Sequence, residues 1–343
     1  YNVEKYLREC LDSAKNQTLS DIEVICINDG STDSSPDIIR EYMQADSRFK
    51  IIDKANSGYG ASMNQGLDAA CGKYIGILES DDFFEPDALE KLVNAAEAAE
   101  AQVAKANFWF YWSTPEEKNE LFELVTAPMT GHVVNPHKET EIFYLKPSIW
   151  SAVYRKDFLE QNGIRFLETP GASFQDSSFN FKVWAMADRA VFLQDAILHY
   201  RQDNESSSVN SPAKVYCICD EHAEIDSFLS SHKQLASLRE VEEGIKFDNY
   251  MWNYERLTEP LQREFIQRFA SEFSSDKGKG YLNEAVLGEW RTGELAALIA
   301  DPTYYHARRA AQQVSGGKFA KAKCYFTVGG FASLVKAISR KVG

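Results

Sequence analysis

The feature that most constrains this chain is an alternation running through its first third: a short β-branched run, a polar or acidic loop, then an amphipathic helix. Residues 22–27 are mostly β-branched and bounded by turn formers, which predicts a buried strand. Phe49 to Ile52 and Tyr74 to Leu78 predict two more. Tyr6, Leu7, Cys10, Leu11 and Ala14 recur at helical spacing, which predicts a helix over 4–17. Ser34 or Ser35 caps a second helix with Pro36 in its first turn, residues 60–70 read as a third, and Pro86 opens a fourth that runs to about Ala101. The alternation predicts an α/β fold, a mostly parallel sheet flanked by helices.

Farther on the pattern loosens. Residues 103–112 and 191–200 read as strands, 113–140 as loop, and 149–160 and 176–188 as helices. From Val215 to Gln313 almost everything reads as helix, with a break expected at Gly278 and Gly280. The expected division is a catalytic domain over 1–214, a C-terminal helical region over 215–314 and a basic amphipathic tail over 315–343. The tail carries Lys318, Lys321, Lys323, Lys336, Arg340 and Lys341, no acid, and interleaved aromatic and aliphatic residues. Two readings stay open for it: a segment lying on an anionic membrane surface, or a last helix packed on the protein with its lysines outward.

Composition excludes several classes. The chain has 343 residues, a net charge of −14 and a pI near 5.0, which argues against a nucleic-acid partner. No apolar run is long enough to span a bilayer. Six cysteines are too few and too scattered for a disulfide framework, and Cys217-x-Cys219 lacks the second pair that zinc requires, so reduced thiols in a cytoplasmic protein are expected. The chain opens on Tyr1-Asn2 with no Met and no signal peptide, as a sequence would whose natural start is missing.

In parallel α/β sheets ligands bind beyond the carboxyl ends of strands. Two acidic loops fall at such ends, Asp29 after one strand and Asp81-Asp82 after another. Gathered carboxylates repel one another unless a cation or hydrogen-bond donors neutralise them. A hard divalent ion shared with a phosphate does this. Singly, each acid reads equally as a cap or turn residue.

The order of motifs is more specific. Asn28-Asp29-Gly30-Ser31-Thr32-Asp33 is followed by Asn56-Ser57-Gly58-Tyr59-Gly60 with Asn64 and Gly66, then by Glu79-Ser80-Asp81-Asp82 and Pro86. This resembles glycosyltransferase family 2, inverting enzymes of GT-A fold that use nucleotide sugars. The resemblance is strong over roughly 1–110 and looser over 145–210, and it makes Tyr1-Asn2 the end of an opening strand that is largely absent. It implies that Asp29 reads the uracil edge of UDP, that Asn56, Gly58 and Asn64 line the donor site, that Asp81 faces the ribose, and that Asp82 binds Mn²⁺ or Mg²⁺ bridging the diphosphate. Asp176, after Gln175, inherits the catalytic base, with a helix cap as its plain alternative. Arg201 would pair with phosphate oxygens, and His199 would be a further metal ligand or a satisfied structural residue. Ser206, Ser207 and Ser208 resemble the family's mobile loop over the diphosphate. Trp150, Tyr154 and the aromatic run Phe108 to Trp112 suit core packing better than a sugar platform. Two departures stand out: Glu79 where many members have Asp, and Met63 where many have Arg.

The resulting expectation is an inverting glycosyltransferase, moving a sugar from a UDP-sugar or other nucleotide sugar to the hydroxyl of a saccharide or lipid-linked acceptor in bacterial surface polysaccharide synthesis. Its location would be cytoplasmic, peripheral on the inner face of the cell membrane. The alternatives are a catalytically inactive GT-A-like scaffold, which would carry a damaged base or metal motif, and a nucleotidyltransferase, which would carry a Gly-rich basic phosphate loop near its start.

Overall fold

The computed structural model describes residues 1–172, 174–204 and 214–339. The chain forms two compact units, Tyr1–Asn210 and Ser211–Gly343.

The first unit opens with helix α1 (Glu4–Lys15), strand β1 (Val24–Asp29), helix α2 (Ser35–Ala45) and strand β2 (Phe49–Lys54). β1 and β2 pair in parallel from Val24 opposite Phe49 to Asp29 opposite Lys54. Their apolar side chains meet those of the helices in a core of Leu7, Leu11, Ile38, Ile39, Tyr42 and Phe49. That core exists because each helix keeps its apolar residues on one stripe. Next come α3 (Tyr59–Ala69), β3 (Tyr74–Gly76), β4 (Phe83–Phe84), α4 (Ala88–Ala98), β5 (Val103–Trp112), β6 (Lys118–Phe122), β7 (Ala152–Arg155), α5 (Lys156–Gln161), α6 (Gln175–Met186) and β8 (Ala190–Arg201).

The second sheet runs β3-β7-β5-β8-β4, with β6 added to β5. The α/β class stands, but this sheet is mixed rather than mostly parallel. β5 and β8 are parallel, whereas β3–β7, β4–β8, β5–β6 and β5–β7 are antiparallel. The antiparallel pairs come from three short strands that the sequence conceals. β7 falls inside the expected helix 149–160, and Ala152, Val153 and Tyr154 are buried between two strand neighbours. An apolar run buried on both sides carries no period that separates helix from strand. β6 falls in the expected loop, and its exposed charged residues hide the pairing. β4 has two residues, too few for a pattern.

The second unit is helical: α7 (Cys217–Ser231), α8 (Leu238–Arg256), α9 (Glu259–Gly278), α10 (Glu284–Ala300), α11 (Pro302–Gln313) and α12 (Lys318–Ser339). α9 ends at the expected glycine. The Asn283 side chain caps α10 through the Ala285 N–H (3.0 Å), and Asp301 caps α11 through Tyr304 N–H (2.9 Å), with Pro302 at the first position. Phe247, Tyr250, Phe265, Phe269 and Phe273 form its aromatic core. Among the described residues no helix is long and apolar enough to cross a membrane.

Candidate active site

The site residues lie where strands of the first unit end and one helix begins. Asp29 closes β1, and its carboxylate accepts the N–H groups of Ser57 (2.8 Å) and Gly58 (3.1 Å) and an ion pair from Lys54. The Asn56 amide donates to the Asp29 carbonyl at 3.0 Å. The Lys54 ammonium and the two N–H groups outweigh burial and hold the Asp29 carboxyl below its ordinary range. Asp29 thereby folds the 56–58 loop into a cradle at the strand end.

That loop lies directly on the segment leading to Asp176. Gly58 has φ +93°, and a Cβ there would stand 2.8 Å from the Thr169 carbonyl oxygen. At Gly60 a Cβ would stand 2.0 Å from the Leu167 oxygen. The Tyr59 N–H donates to the Gly171 carbonyl at 3.0 Å. Asn64 fastens the same two segments. Its amide donates to the Phe166 carbonyl (3.0 Å) and to Glu168 (2.9 Å), and its oxygen accepts the Phe166 N–H (2.9 Å). Asn64 was expected to line the donor site. Its donors and its oxygen are instead turned inward, so it is a staple within the protein.

The acidic loop after β3 is deeper. The Tyr59 hydroxyl donates to Glu79 at 2.5 Å. Burial, with Asp81 and Asp176 nearby, pushes the Glu79 carboxyl up to about 7 despite that bond. Asp81 accepts the Asn204 amide at 2.8 Å. Asp82 is fully buried; one carboxylate oxygen accepts the Arg201 N–H at 2.9 Å, and the other, Oδ2, has no hydrogen-bond partner. Burial first and Asp81 next push the Asp82 carboxyl well up. A buried carboxylate with an unsatisfied oxygen beside other acids is costly unless a cation arrives.

Asp176 sits in the first turn of α6, after Phe174 in a left-handed conformation (φ 62°). Burial raises its carboxyl to about 6, against the opposing pull of Lys146, of the N–H groups of Asp176 and Ser177, and of Lys105. Gln175 holds the approach to the helix, donating to Thr169 Oγ1 (2.9 Å) and the Gly171 carbonyl (3.2 Å). Tyr200, next to Arg201 on β8, feels Asp82, Asp81, Asp176 and Glu79 together. The acids after β3 and the acid opening α6 therefore both act on Tyr200, and the Asp29 loop packs on the segment leading to Asp176.

Two further expectations change. The Arg201 guanidinium is 2% exposed, ion-paired with Glu9, bonded to the Asp81 carbonyl (2.9 Å), near Asp203 (3.5 Å), and stacked on Tyr6 and Tyr111. Asp203 in turn accepts the N–H groups and hydroxyls of Ser113 and Thr114, at 2.7 to 3.1 Å. Arg201 braces the acidic loop and has no face left for a phosphate. His199 engages Asn119 through Nδ1 (2.7 Å) and Glu85 through Nε2 (2.9 Å) and stacks on Phe83, so neither nitrogen remains for a metal. Phe108, Trp150 and Tyr154 are buried core. Ser173 and Ser206 to Ser208 lie outside the described residues.

Sequence reading missed Lys105 and Lys146. Lys105 is 1% exposed, donates to the Ser148 carbonyl (2.5 Å) and Ser151 Oγ (3.2 Å), and is pushed down to about 7 by burial. A lone Lys within an apolar strand was the available signal. Lys146 is pushed down by burial as well and lies 5.9 Å from the Tyr200 ring centroid. Among the described residues no three His, Cys, Asp or Glu side chains converge into a metal cage. The orphaned oxygen of Asp82 is chemically suited to be one ligand of a hard cation.

An α/β sheet with acids at its strand ends and another acid at a helix start is an architecture of GT-A type. Residues 1–159, just under half of the chain, match the family described as Glycosyl transferase family 2. It is 33% identical over 204 residues to EpsH of Bacillus subtilis (strain 168), covering 59% of this chain and 58% of EpsH. It is 32% identical over 227 residues to EpsJ of the same organism, covering 65% and 64%. Both are described as glycosyltransferases by name alone. The chain thus spans less than two thirds of either relative's length. Among solved structures, S. aureus TarS 1-349 in complex with UDP-GlcNAc superposes with a TM-score of 0.55 at 21% identity, covering 85% of this chain and 90% of that one. At that identity the likeness is one of fold.

Proposed function

We propose that the chain transfers a sugar from a UDP-sugar, or another nucleotide sugar, to an acceptor hydroxyl, with inversion at the anomeric carbon. The observation that carries this reading is the buried Asp82 oxygen without a partner, in the same acidic loop as Glu79, whose carboxyl Asp176 helps to raise. The family match over residues 1–159 and the UDP-GlcNAc complex of S. aureus TarS, which shares the fold, support the donor class.

In this reading Asp29 offers the uracil edge the free lone pair of a carboxylate already locked by Ser57, Gly58 and Lys54. Asn56 and Gly58 shape the cradle wall, and Asp81 faces the ribose. Asp82 holds Mn²⁺ or Mg²⁺, which when bound neutralises charge on the leaving diphosphate. Asp176 takes the proton of the attacking hydroxyl. A carboxyl near 6 is mostly ionised at pH 7 yet basic enough to work. Lys146 and Lys105 keep burial from protonating it. Arg201 keeps Asp81 and Asp82 in place. The acceptor is a saccharide or lipid-linked saccharide, in bacterial surface polysaccharide synthesis, and the chain works in the cytoplasm, peripherally at the inner face of the cell membrane.

The test is a panel of nucleotide sugars with Mn²⁺, read by melting temperature and by product. One donor should raise the melting temperature and yield free nucleoside diphosphate on turnover. Pyrophosphate release would make the protein a nucleotidyltransferase, and no response to any donor would make it a scaffold.

A further inference from the structure

The inner side of α12 is fixed on α11. Tyr325 stacks on Tyr304 at 5.9 Å, Lys336 pairs with Asp301 at 2.7 Å, and Ser333 and Ala337 are buried. Gly329 lies so close that a Cβ there would approach the Ala307 Cβ to 2.7 Å.

The outer side carries large apolar groups in water. Phe319 is 92% exposed, Phe326 54%, Phe331 69%, Val335 47% and Ile338 57%. They fall in two stripes. Phe319, Lys323 and Phe326 follow an i, i+4, i+7 spacing; after Gly330 breaks the helix at φ 72°, Phe331, Val335 and Ile338 repeat it. Each stripe is therefore one face of its helical segment. Residues 315–343 hold six of the chain's 37 basic residues and none of its 51 acids.

We propose that this outer face docks on an anionic lipid bilayer, with Phe331, Val335 and Ile338 entering the headgroup boundary and Lys318 and Lys323 meeting the headgroups. A bilayer surface supplies both things the face needs, an apolar phase and negative charge. The same stripe of a second copy supplies only the first and brings lysines against lysines. α12 is also not apolar enough to cross the membrane, so it lies along the surface. The inference deepens the peripheral location proposed above and is independent of sugar transfer.

The full chain is sedimented with vesicles of phosphatidylcholine alone and of phosphatidylcholine with phosphatidylglycerol. It should partition onto the anionic vesicles at low salt and be released at high salt. Changing Phe331, Val335 and Ile338 together to Ser should weaken partition on the order of tenfold or more. Lys318→Gln and Lys323→Gln should each weaken it about fivefold at most. All these residues are outside the inner contact, so melting and nucleotide-sugar stabilisation of the variants should match the parent. That stabilisation reads the donor site alone, so a failure of docking is distinguishable from a failure of the sugar-transfer reading. No partition onto anionic vesicles, or equal partition by the triple variant, overturns the proposal. So does a lipid-free dimer of the parent that the triple variant dissolves, which would make the face a contact between copies.

Discussion

Two acids at the ends of strands in the same unit are treated in opposite ways. Asp29 is met by two backbone N–H groups and a lysine, and its carboxyl is held down. Asp82 is more deeply buried, keeps one oxygen unpartnered, and its carboxyl is driven up by burial and by Asp81. The satisfied acid builds a loop; the unsatisfied one stores a demand for positive charge. A fold that maximised its own stability would not leave Asp82 as it is, which is why the function is read from that region.

The comparison can be broken in order of effect. The largest change is expected at Asp176, on the unsatisfied side. Asp176→Asn should lower kcat by roughly 10² to 10⁴, the usual contribution of a general base, with donor affinity kept; a calorimetric titration of UDP beside a turnover assay checks both. Retained turnover would reduce Asp176 to a helix cap. On the satisfied side, Asp29→Ala should cost about 2 kcal/mol of stability, because it strands two N–H groups and a lysine. Chemical denaturation measures this, and no loss would mean that the cradle holds without Asp29. Asn64→Ala should cost about 1 kcal/mol through the same kind of loss and leave the donor KM alone. A change confined to KM would return Asn64 to the donor site.

The smallest effect is in pH, and its sign separates the two regions. Asp176 near 6 and Glu79 near 7 bind protons more tightly in the folded protein than in the unfolded chain, where carboxyls titrate at about 4. Their contribution without metal is fully present below pH about 4 and is lost as pH rises through about 6 to 7. Asp29 contributes in the opposite sense: its share is present above pH about 4 and fades as pH falls through its lowered value. Melting temperatures of the metal-free protein should therefore decline modestly from pH 5 to pH 8, and Asp176→Asn should flatten part of that decline. A rise over the same interval would contradict the assignment.

Much of this was legible in the residues. The strand expected over 22–27, which runs two residues farther to Asp29, the first four helices and the glycine break after α9 follow from period and punctuation, which are local. The acids were legible because their order resembles a family. What the sequence hid was partnership over distance. Arg201 meets Glu9 across 192 positions and Asn64 meets Phe166 across 102. Nothing near Arg201 or Asn64 in the chain says that a bracing role has consumed their donors. β7 was hidden for a different reason. Ala152-Val153-Tyr154 is buried on both sides, so it lost the alternation that marks a strand.

The most direct test of the central claim, that the Asp82 oxygen is kept free for a cation, is a calorimetric titration of UDP into the parent and Asp82→Asn proteins, with and without Mn²⁺. The account predicts that Mn²⁺ strengthens UDP binding to the parent on the order of tenfold or more and does nothing for the variant. Equal strengthening in both proteins, or none in the parent, would contradict it.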